Sequence, residues 1–155
     1  MEKSYLQQIK GNLLDSKETY IAQQCNCCTS EGKGLSLHLF KKFPYANSYK
    51  KRVRSDKSTH HKPGTIEVYK NIINMYAQYY PSLGKYVSDS NQMRIQWFKE
   101  CLNQIKQIDN IQNKTIAMPY KIGCGLAGGD WQIYEKMLEE FANSEKIHIV
   151  LYNFE

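Results

Sequence analysis

The sequence predicts an α/β domain with three layers, in which a central mixed β-sheet lies between two layers of helices. Apolar segments with strand character alternate with segments whose apolar residues recur at helical spacing. Two glycine-rich segments each connect a strand to a helix, as is typical of the ligand-binding edge of such a sheet. A length of 155 residues suits one domain, so we assign residues 1–155 to a single unit.

The first half of the chain predicts four strands and two helices. A turn at Gly11 and Asn12 follows the first strand. A helix is expected over residues 35–43, because its leucines and phenylalanines fall on one face. Pro44 starts a second, short helix, since its fixed φ suits a first helical turn, and the polar residues 55–64 indicate a mobile loop. The strands are expected at residues 4–9, 19–25, 65–69 and 71–78.

The second half predicts two longer helices and two buried strands. Residues 81–88 are expected to form a loop, after which Asp89 or Ser90 caps a long helix. Apolar residues continue at helical spacing on that helix as far as Ile108. The remaining elements are a strand at residues 114–120, a helix beginning at Trp131 and a final strand at residues 147–152.

Composition limits the class of protein. With 41% hydrophobic and 23% charged residues, the chain is expected to fold rather than remain disordered. No apolar run approaches the roughly 20 residues of a membrane span, and no apolar signal core follows the N-terminus. Five cysteines are an odd number and do not suggest a disulfide framework. We therefore expect an intracellular, monomeric protein with free thiols and no membrane contact.

Residues 119–131, which we call the glycine loop, are the segment most suggestive of a binding site. Gly123, Gly125, Gly128 and Gly129 lie there between a buried strand and an amphipathic helix. Glycine lets successive backbone N–H groups turn the same way and lets a ligand approach closely. The helix start adds unpaired N–H groups and a positive dipole end. This combination predicts a phosphate site, whereas a turn that serves only packing needs one or two glycines.

Gly123, Gly125 and Gly128 also match the dinucleotide fingerprint G-x-G-x-x-G, but that match alone is weak. The acidic residue expected about 20 positions further on falls near His148, where there is no acid. No second βαβ half follows the motif. A nicotinamide-dependent dehydrogenase is therefore not expected.

Residues 26–36, which we call the asparagine loop, also run from a strand to a helix and contain Gly32 and Gly34. We expect the two loops to face each other across one crevice, where two sets of backbone N–H groups suit a diphosphate. The side-chain amide of Asn26 can donate to and accept from sugar hydroxyls. The alternative is that Asn26 closes a local turn.

Two carboxylates and a cysteine cluster are further candidates. Asp130 immediately precedes a helix, so it is expected as an N-cap or as a carboxylate beside a reacting sugar, and the two roles are compatible if the side chain caps the helix only in the free protein. Asp89 is a second carboxylate candidate with the same alternative. Cys25, Cys27 and Cys28 have the spacing C-x-C-C without a second ligand pair nearby, so we expect buried thiols and no metal site. No cofactor is expected.

The net charge of +6 is concentrated in one segment, residues 41–62. Asp56 is the only acid in that segment, and its basic residues are Lys41, Lys42, Lys50, Lys51, Arg52, Arg54, Lys57 and Lys62. Such a segment favours a weak contact between Lys41–Lys62 and a polyanion. The alternative is a solvated surface that only promotes solubility.

These motifs together resemble the macrodomain family, whose α/β fold binds ADP-ribose, and the resemblance covers nearly the whole chain. The glycine loop is the most specific of them. It is similar to the corresponding loop of terminal ADP-ribose protein glycohydrolases and DNA de-ADP-ribosylating antitoxins, and ADP-ribose-phosphate phosphatases belong nearby. The segments that carry the resemblance are residues 11–14, 24–27, 32–36, 116–119 and 122–126.

The resemblance implies a role for each segment. Asn12 and Leu13 would meet adenine, with Tyr152 lining the same side, and Asn26 would meet the distal ribose. Residues 34–36 and 123–128 would wrap the diphosphate and the distal ribose. The implied ligand-binding residues are Asn12, Leu13, Gln24, Asn26, Gly34, Leu35, Ser36, Ile122, Gly123, Cys124, Gly125, Leu126, Ala127, Gly128 and Tyr152.

The sequence departs from the family at three positions. Asn12 stands where most macrodomains have the aspartate that receives the adenine amine. Gln78 aligns with the catalytic lysine of the glycohydrolase and antitoxin branch, and glutamine cannot form an amine adduct with a sugar. The histidine that the phosphatase branch has near Gln23 and Gln24 is also missing.

The resemblance implies a three-layer α/β/α macrodomain that binds ADP-ribose. We expect it to remove ADP-ribose from modified proteins or nucleic acids, or to dephosphorylate ADP-ribose phosphate. Asp130 and Asn26 are the expected catalytic residues. Two alternatives remain: a reader that binds ADP-ribose without chemistry, and a nucleic-acid-binding module that uses residues 41–62.

Overall fold

The computed structural model of the chain describes residues 4–154. Six strands form the central sheet, and two shorter strands, β5 (Lys85–Tyr86) and β6 (Asp89–Ser90), pair as a separate hairpin. The helices are α1 (Leu35–Lys42), α2 (Asn91–Ile105) and α3 (Trp131–Glu145). The strands of the sheet are β1 (Leu6–Lys10), β2 (Tyr20–Gln24), β3 (Thr65–Tyr69), β4 (Ile72–Tyr76), β7 (Thr115–Pro119) and β8 (His148–Asn153).

The sheet is mixed, with the spatial order β1-β8-β7-β2-β4-β3. Every neighbouring pair is parallel except β3 and β4, which are antiparallel with Thr65 opposite Tyr76. These two strands are joined by a tight turn at which Lys70 has a φ of 52°, so the chain reverses without a crossover helix. The parallel strands β2 and β7 are adjacent, and their carboxyl ends therefore lie side by side at one edge of the sheet.

Two hydrophobic clusters cover the two faces of the sheet, because successive residues of a strand point to opposite faces. On β2, for example, Ala22 joins the cluster that contains the apolar residues of α2 and α3, such as Phe98 and Leu138. Its neighbour Ile21 joins the cluster that contains Leu39 and Phe40 of α1. The three layers that the sequence predicted are therefore confirmed.

The structure corrects three local predictions. Residues 81–88 do not form a plain loop, because Lys85–Tyr86 pairs with Asp89–Ser90. The short helix at Pro44 is a single 3₁₀ turn, Pro44–Ala46. The segment 55–64 was expected to be mobile, but it is anchored: Lys57–Thr59 forms a 3₁₀ turn, and His61 Nε2 lies within hydrogen-bond distance of Glu67 Oε1 on β3, at 2.8 Å.

Among residues 4–154, none of the helices has both the length and the apolar character needed to cross a membrane.

Candidate functional site

A crevice opens at the carboxyl ends of β2 and β7. The asparagine loop leads from β2 to α1 on one face of the sheet, and the glycine loop leads from β7 to α3 on the opposite face. Because the two connections diverge, the strands leave a crevice between them, which is where ligands bind in sheets of this kind. A cavity of about 500 Å³ lies there, within the usual range for small-molecule sites.

Both loops line this cavity, as the sequence predicted. Most of the expected ligand-binding residues line it: Gln24, Asn26, Gly34, Leu35, Ser36, Ile122, Gly123, Gly125, Leu126 and Ala127. Cys124 and Gly128 belong to the same loop but are not in its lining. Leu126 is 67% exposed, and its side chain lies 3.2 Å from the position that a Cβ on Gly34 would take. The two loops therefore approach each other across the mouth of the cavity.

Several residues of the glycine loop that line the cavity have backbone N–H groups without a partner in the described chain. The turns of this loop use the N–H groups of Cys124, Gly128 and Gly129, which donate to carbonyls within the loop. The N–H groups of Gly123, Gly125, Leu126 and Ala127 make no hydrogen bond to any of residues 4–154. Gly123 has a φ of +79°, and a Cβ there would lie 2.7 Å from the Tyr134 ring. Glycine is thus required at that position for both its backbone angle and the available space.

The asparagine loop provides the opposite wall. Helix α1 begins at Leu35, and its first-turn N–H groups have no carbonyl partner within the helix. Gly34 precedes it with a φ of 59°, and no side chain caps the helix. The side chain of Ser36 is held by Gln23, at 3.2 Å between Oγ and Oε1. Residues with unpaired backbone donors therefore line the cavity on both sides, which is the arrangement expected for a diphosphate.

Asn26 combines the two interpretations that the sequence left open. Its Oδ1 closes a local turn by accepting from the backbone N–H groups of Cys28 at 3.2 Å and Thr29 at 3.1 Å. Its backbone N–H donates to the hydroxyl of the buried Tyr49, at 2.9 Å. Asn26 nevertheless lines the cavity, and its Nδ2 has no hydrogen-bond partner within the described chain. The Nδ2 end of the amide therefore remains available to a ligand.

Gln78, which aligns with the lysine of the resembled enzymes, is already engaged. Its Oε1 accepts from Gln24 Nε2 at 2.8 Å, and its Nε2 donates to the carbonyl of Tyr80 at 2.9 Å. Gln24 Oε1 is, for the described residues, a buried acceptor without a partner, and it lies 3.0 Å from the position of a Cβ on Gly123. The cavity wall at Gln78 is therefore a chain of amides with no ionisable group.

The residues expected to meet adenine lie beyond the lining of the cavity. Asn12 caps the 3₁₀ turn Leu13–Asp15 by accepting from the N–H of Leu14, at 3.0 Å. Leu13 is buried in the core. Tyr152 lies opposite the lining residue Pro119 in the sheet, and its hydroxyl donates to Glu18. These residues sit at the edge next to the glycine loop, and their contact with a ligand stays a prediction.

The two candidate carboxylates have different surroundings. Asp130 is exposed and caps α3, accepting from the N–H of Gln132 at 3.0 Å; it is not in the lining of the cavity. Of the two N-caps predicted for α2, Ser90 is confirmed and Asp89 is not. Asp89 is fully buried and forms an ion pair with Arg94, at 2.7 Å from Oδ1 to Nε. It therefore fixes the chain before α2 and has no access to a ligand.

Burial disfavours the thiolate form of the cysteines. Burial raises the pKa of the Cys25 thiol to about 12 and that of the Cys124 thiol to about 11. Burial also raises the pKa of Cys27 and of Cys28. The thiolate is the reactive form and the metal ligand. No group of cysteine, histidine and carboxylate side chains within residues 4–154 is arranged to hold a metal ion.

The basic segment divides into one buried residue and a charged surface. Arg52 is 3% exposed, whereas the other basic residues of the segment are exposed. Arg54 lines the cavity beside Thr29, and Lys33 and Lys121 also line it. Sequence reasoning missed Arg52, because nothing distinguishes it from the cations around it. It also missed Arg94, although its helical spacing with the buried Phe98 places a charge on an apolar face and was a detectable signal.

No protein-family model matches the sequence. One curated relative is the uncharacterized 17.5 kDa protein in the tk-vs intergenic region of Enterobacteria phage T4. The two chains are 26% identical over 151 residues, which cover 95% of each.

Two solved structures show the same fold. The macrodomain of Mycobacterium tuberculosis DarG is 21% identical with a TM-score of 0.69, over 97% of this chain and 98% of that one. A Thermosipho africanus DarTG, solved in complex with ADP-ribose, is 16% identical with a TM-score of 0.69, over 95% of this chain and 41% of that one. Together with the sheet and helices described above, these likenesses show that the chain has the macrodomain fold, similar to that of the DarG macrodomains.

Proposed function

We propose that this chain binds ADP-ribose in the cavity between the asparagine loop and the glycine loop. The observation that carries the proposal is the presence of unpaired backbone N–H groups on opposite walls of one cavity. A diphosphate has two anionic centres, and backbone donors at a helix start bind such groups well. A protein of the same fold, the Thermosipho africanus DarTG, is solved in complex with ADP-ribose, which supports the same ligand here.

Each part of the ligand has a place in this proposal. The diphosphate lies between the first turn of α1 and the N–H groups of Gly123 and Gly125. The distal ribose lies beside Asn26 at the floor of the cavity. The adenine extends along the sheet edge towards Asn12 and Tyr152, where an aromatic ring favours stacking.

We further propose that the chain hydrolyses an ADP-ribosyl linkage or the related phosphoester of ADP-ribose phosphate. For the linkage, a water held by Asn26 loses a proton to Asp130, and its oxygen bonds to the anomeric carbon. The bond from that carbon to the leaving group breaks, and the leaving atom keeps the electron pair and takes up the proton that Asp130 received, which restores the carboxylate. Positioning and one general base together contribute several powers of ten in rate.

The side-chain amide of Gln78, which is already hydrogen-bonded, excludes a covalent intermediate at this position. A carboxamide is not a nucleophile, and both ends of the Gln78 amide already have protein partners. Water therefore attacks the sugar directly, without the covalent adduct that an amine would form.

A reader of ADP-ribosylated macromolecules is the second candidate function. The observation that favours it is the position of Asp130, which caps α3 and is not in the lining of the cavity. In both candidates the partner is ADP-ribose or an ADP-ribosylated protein or nucleic acid, and we propose a monomer acting inside a cell.

Calorimetric titration with ADP-ribose, ADP, AMP and NAD tests the ligand. We expect ADP-ribose to bind most tightly, because only its free distal ribose fits beside Asn26. Equal affinity for ADP and ADP-ribose would contradict a subsite for the distal ribose. An absence of binding to ADP-ribose would reject the proposed function.

Substitution of Asp130 separates the hydrolase from the reader. Asp130→Asn keeps an N-cap of similar quality but removes the base, so we expect turnover of an ADP-ribosylated protein to fall about 100-fold with unchanged ADP-ribose affinity. Asp130→Ala should lose the same turnover and also about 1 kcal/mol of unfolding free energy. Full turnover by Asp130→Asn would exclude Asp130 from the mechanism. If the unmodified protein turned over neither ADP-ribosylated macromolecules nor ADP-ribose phosphate, the hydrolase would be rejected in favour of the reader.

A further inference from the structure

Arg52 is a buried cation within an exposed basic segment. It is 3% exposed, and its guanidinium carbon lies 4.1 Å from the centre of the Tyr49 ring. A buried charge is unfavourable unless hydrogen bonds and counter-charges compensate it. The contacts of the guanidinium therefore indicate what the buried charge holds in place.

Those contacts converge on the asparagine loop. Arg52 Nη2 donates to the carbonyl of Asn26 at 2.8 Å, and Nη1 donates to the carbonyl of Thr29 at 3.1 Å. Nη1 also donates to the side-chain oxygen of Asn26 at 3.1 Å. One planar group thus holds both the backbone and the side chain of a residue that lines the cavity.

The surroundings of Asn26 Oδ1 fix the orientation of its amide. The atom receives donors from Arg52, from the backbone of Cys28 and from both the backbone and the hydroxyl of Thr29. A flipped amide would place its own N–H groups against these donors, so the orientation is unambiguous. Nδ2, with its two hydrogens, is left on the side away from Arg52.

We propose that Arg52 is a positioning residue that turns the side-chain amide of Asn26, so that Asn26 meets the ligand only as a hydrogen-bond donor. This inference rests on the proposed function and adds the direction of one hydrogen bond. Asn26 Nδ2 donates to an oxygen of the distal sugar or of its linkage. An oxygen without a proton, such as that of an ester or phosphoester, satisfies it as well as a hydroxyl does. The site therefore selects an acceptor beside Asn26.

His61 makes this arrangement sensitive to acid. Its Nδ1 accepts from Arg52 Nε at 3.1 Å, which requires an unprotonated Nδ1, and its Nε2 lies 2.8 Å from Glu67 Oε1. The ring stacks on Tyr76, 4.1 Å between centroids, and His60 is the neighbouring titratable group. Burial and the Arg52 charge lower the pKa of His61, so it is neutral near pH 7. Protonation of Nδ1 would place an N–H group and a positive charge against the Arg52 guanidinium, and the repulsion would displace the guanidinium.

A double-mutant cycle tests whether Arg52 acts through Asn26. We expect Arg52→Lys, which removes the planar fork, and Asn26→Ala each to weaken ADP-ribose binding about tenfold, as the loss of one hydrogen bond does. The double variant should also lose only about tenfold, because the second change removes nothing further. Losses that multiply to about 100-fold would show that Arg52 acts independently of Asn26 and would overturn the proposal.

Asn26→Asp tests the donor without removing Arg52. The carboxylate keeps an oxygen for Arg52 and the loop N–H groups but presents a second oxygen to the ligand, so affinity should fall more than about tenfold. Asn103→Asp, on the exposed part of α2, is the matched control for added negative charge. Equal affinity of Asn26→Asp and the unmodified protein would overturn the donor assignment, even if Arg52→Lys failed to fold.

A pH series supplies a readout that a merely structural arginine would not change. Affinity should be constant above about pH 6.5, the usual histidine pKa, and should fall only below it, because burial and the Arg52 charge lower the pKa of His61. His61→Asn keeps an acceptor near the Nδ1 position without a titrating group, so its affinity should stay level. The same fall in both proteins would reject the role of His61. If the unmodified protein bound no ADP-ribose at any pH, the proposed function itself would fail, which is a different outcome.

Discussion

The two walls of the cavity are built by different means. The glycine loop is shaped by its backbone, with turn hydrogen bonds such as Cys124 N to Lys121 O at 2.9 Å. The asparagine loop is shaped by side chains, chiefly Asn26 and the buried Arg52. A loop whose shape depends on its backbone should be disrupted when a side chain is added. A loop whose shape depends on side-chain contacts should be disrupted when a side chain is shortened. The two loops should therefore respond to opposite kinds of substitution.

Gly125→Glu is expected to have the largest effect on binding. A Cβ on Gly125 meets nothing within 4 Å, so the fold should tolerate a side chain. The glutamate, however, would place bulk and a negative charge where the diphosphate is proposed to lie. We expect ADP-ribose affinity to fall more than about 100-fold, or about 2.7 kcal/mol of binding free energy. The melting temperature, measured by calorimetry, should not change.

Gly125→Gln and Gly125→Ala are the matched controls for this prediction. Glutamine keeps the bulk without the charge and should lose less affinity than glutamate, whereas alanine should bind almost normally. Near-normal binding by Gly125→Glu would show that the diphosphate does not contact this wall. The glycine loop would then not be a wall of the diphosphate site.

The same contrast explains what the sequence could predict. The strands, the three helices and the glycine loop follow from apolar periodicity and glycine spacing, which are local signals. The site of Asn26 was also predictable, because a polar residue at the end of a buried strand faces the ligand-binding edge. The glycine loop is determined by its own residues, so its sequence alone indicated its shape.

The environment of Arg52 was not predictable for the opposite reason. It lies between exposed cations in the sequence, and its partners Asn26 and Thr29 are more than twenty residues away. Asp89 was misinterpreted although its partners are nearer in the sequence, because Arg94 and the N–H groups of Tyr79 and Tyr80 surround it only in the folded chain. Side-chain contacts that form only on folding leave little trace in a single sequence.

Gly123→Ala tests the glycine loop by a smaller addition. The methyl group would lie 2.7 Å from the Tyr134 ring at a φ of +79°, so both space and backbone angle oppose it. We expect a loss of about 2 kcal/mol of unfolding free energy, as such backbone strain typically costs, measured by denaturant titration. Gly125→Ala, with open space around the methyl group, should lose far less. Equal stability of the two variants would contradict the view that Gly123 is fixed by its close contacts.

Thr29→Val is expected to have the smallest effect, and it tests the asparagine loop by removal. The Thr29 hydroxyl lies 3.0 Å from Asn26 Oδ1 and 3.2 Å from the carbonyl of Glu31. Valine keeps the shape of the side chain and the Thr29 N–H that also reaches Asn26. Since Arg52 and the backbone donors remain, we expect ADP-ribose affinity to fall only about twofold to threefold and stability by about 1 kcal/mol. Ser144→Ala, at an exposed residue of α3 outside the lining of the cavity, is the control. A loss as large as that of Asn26→Ala would mean that the threonine, and not the arginine, orients the amide, so this small change decides how the asparagine loop is held.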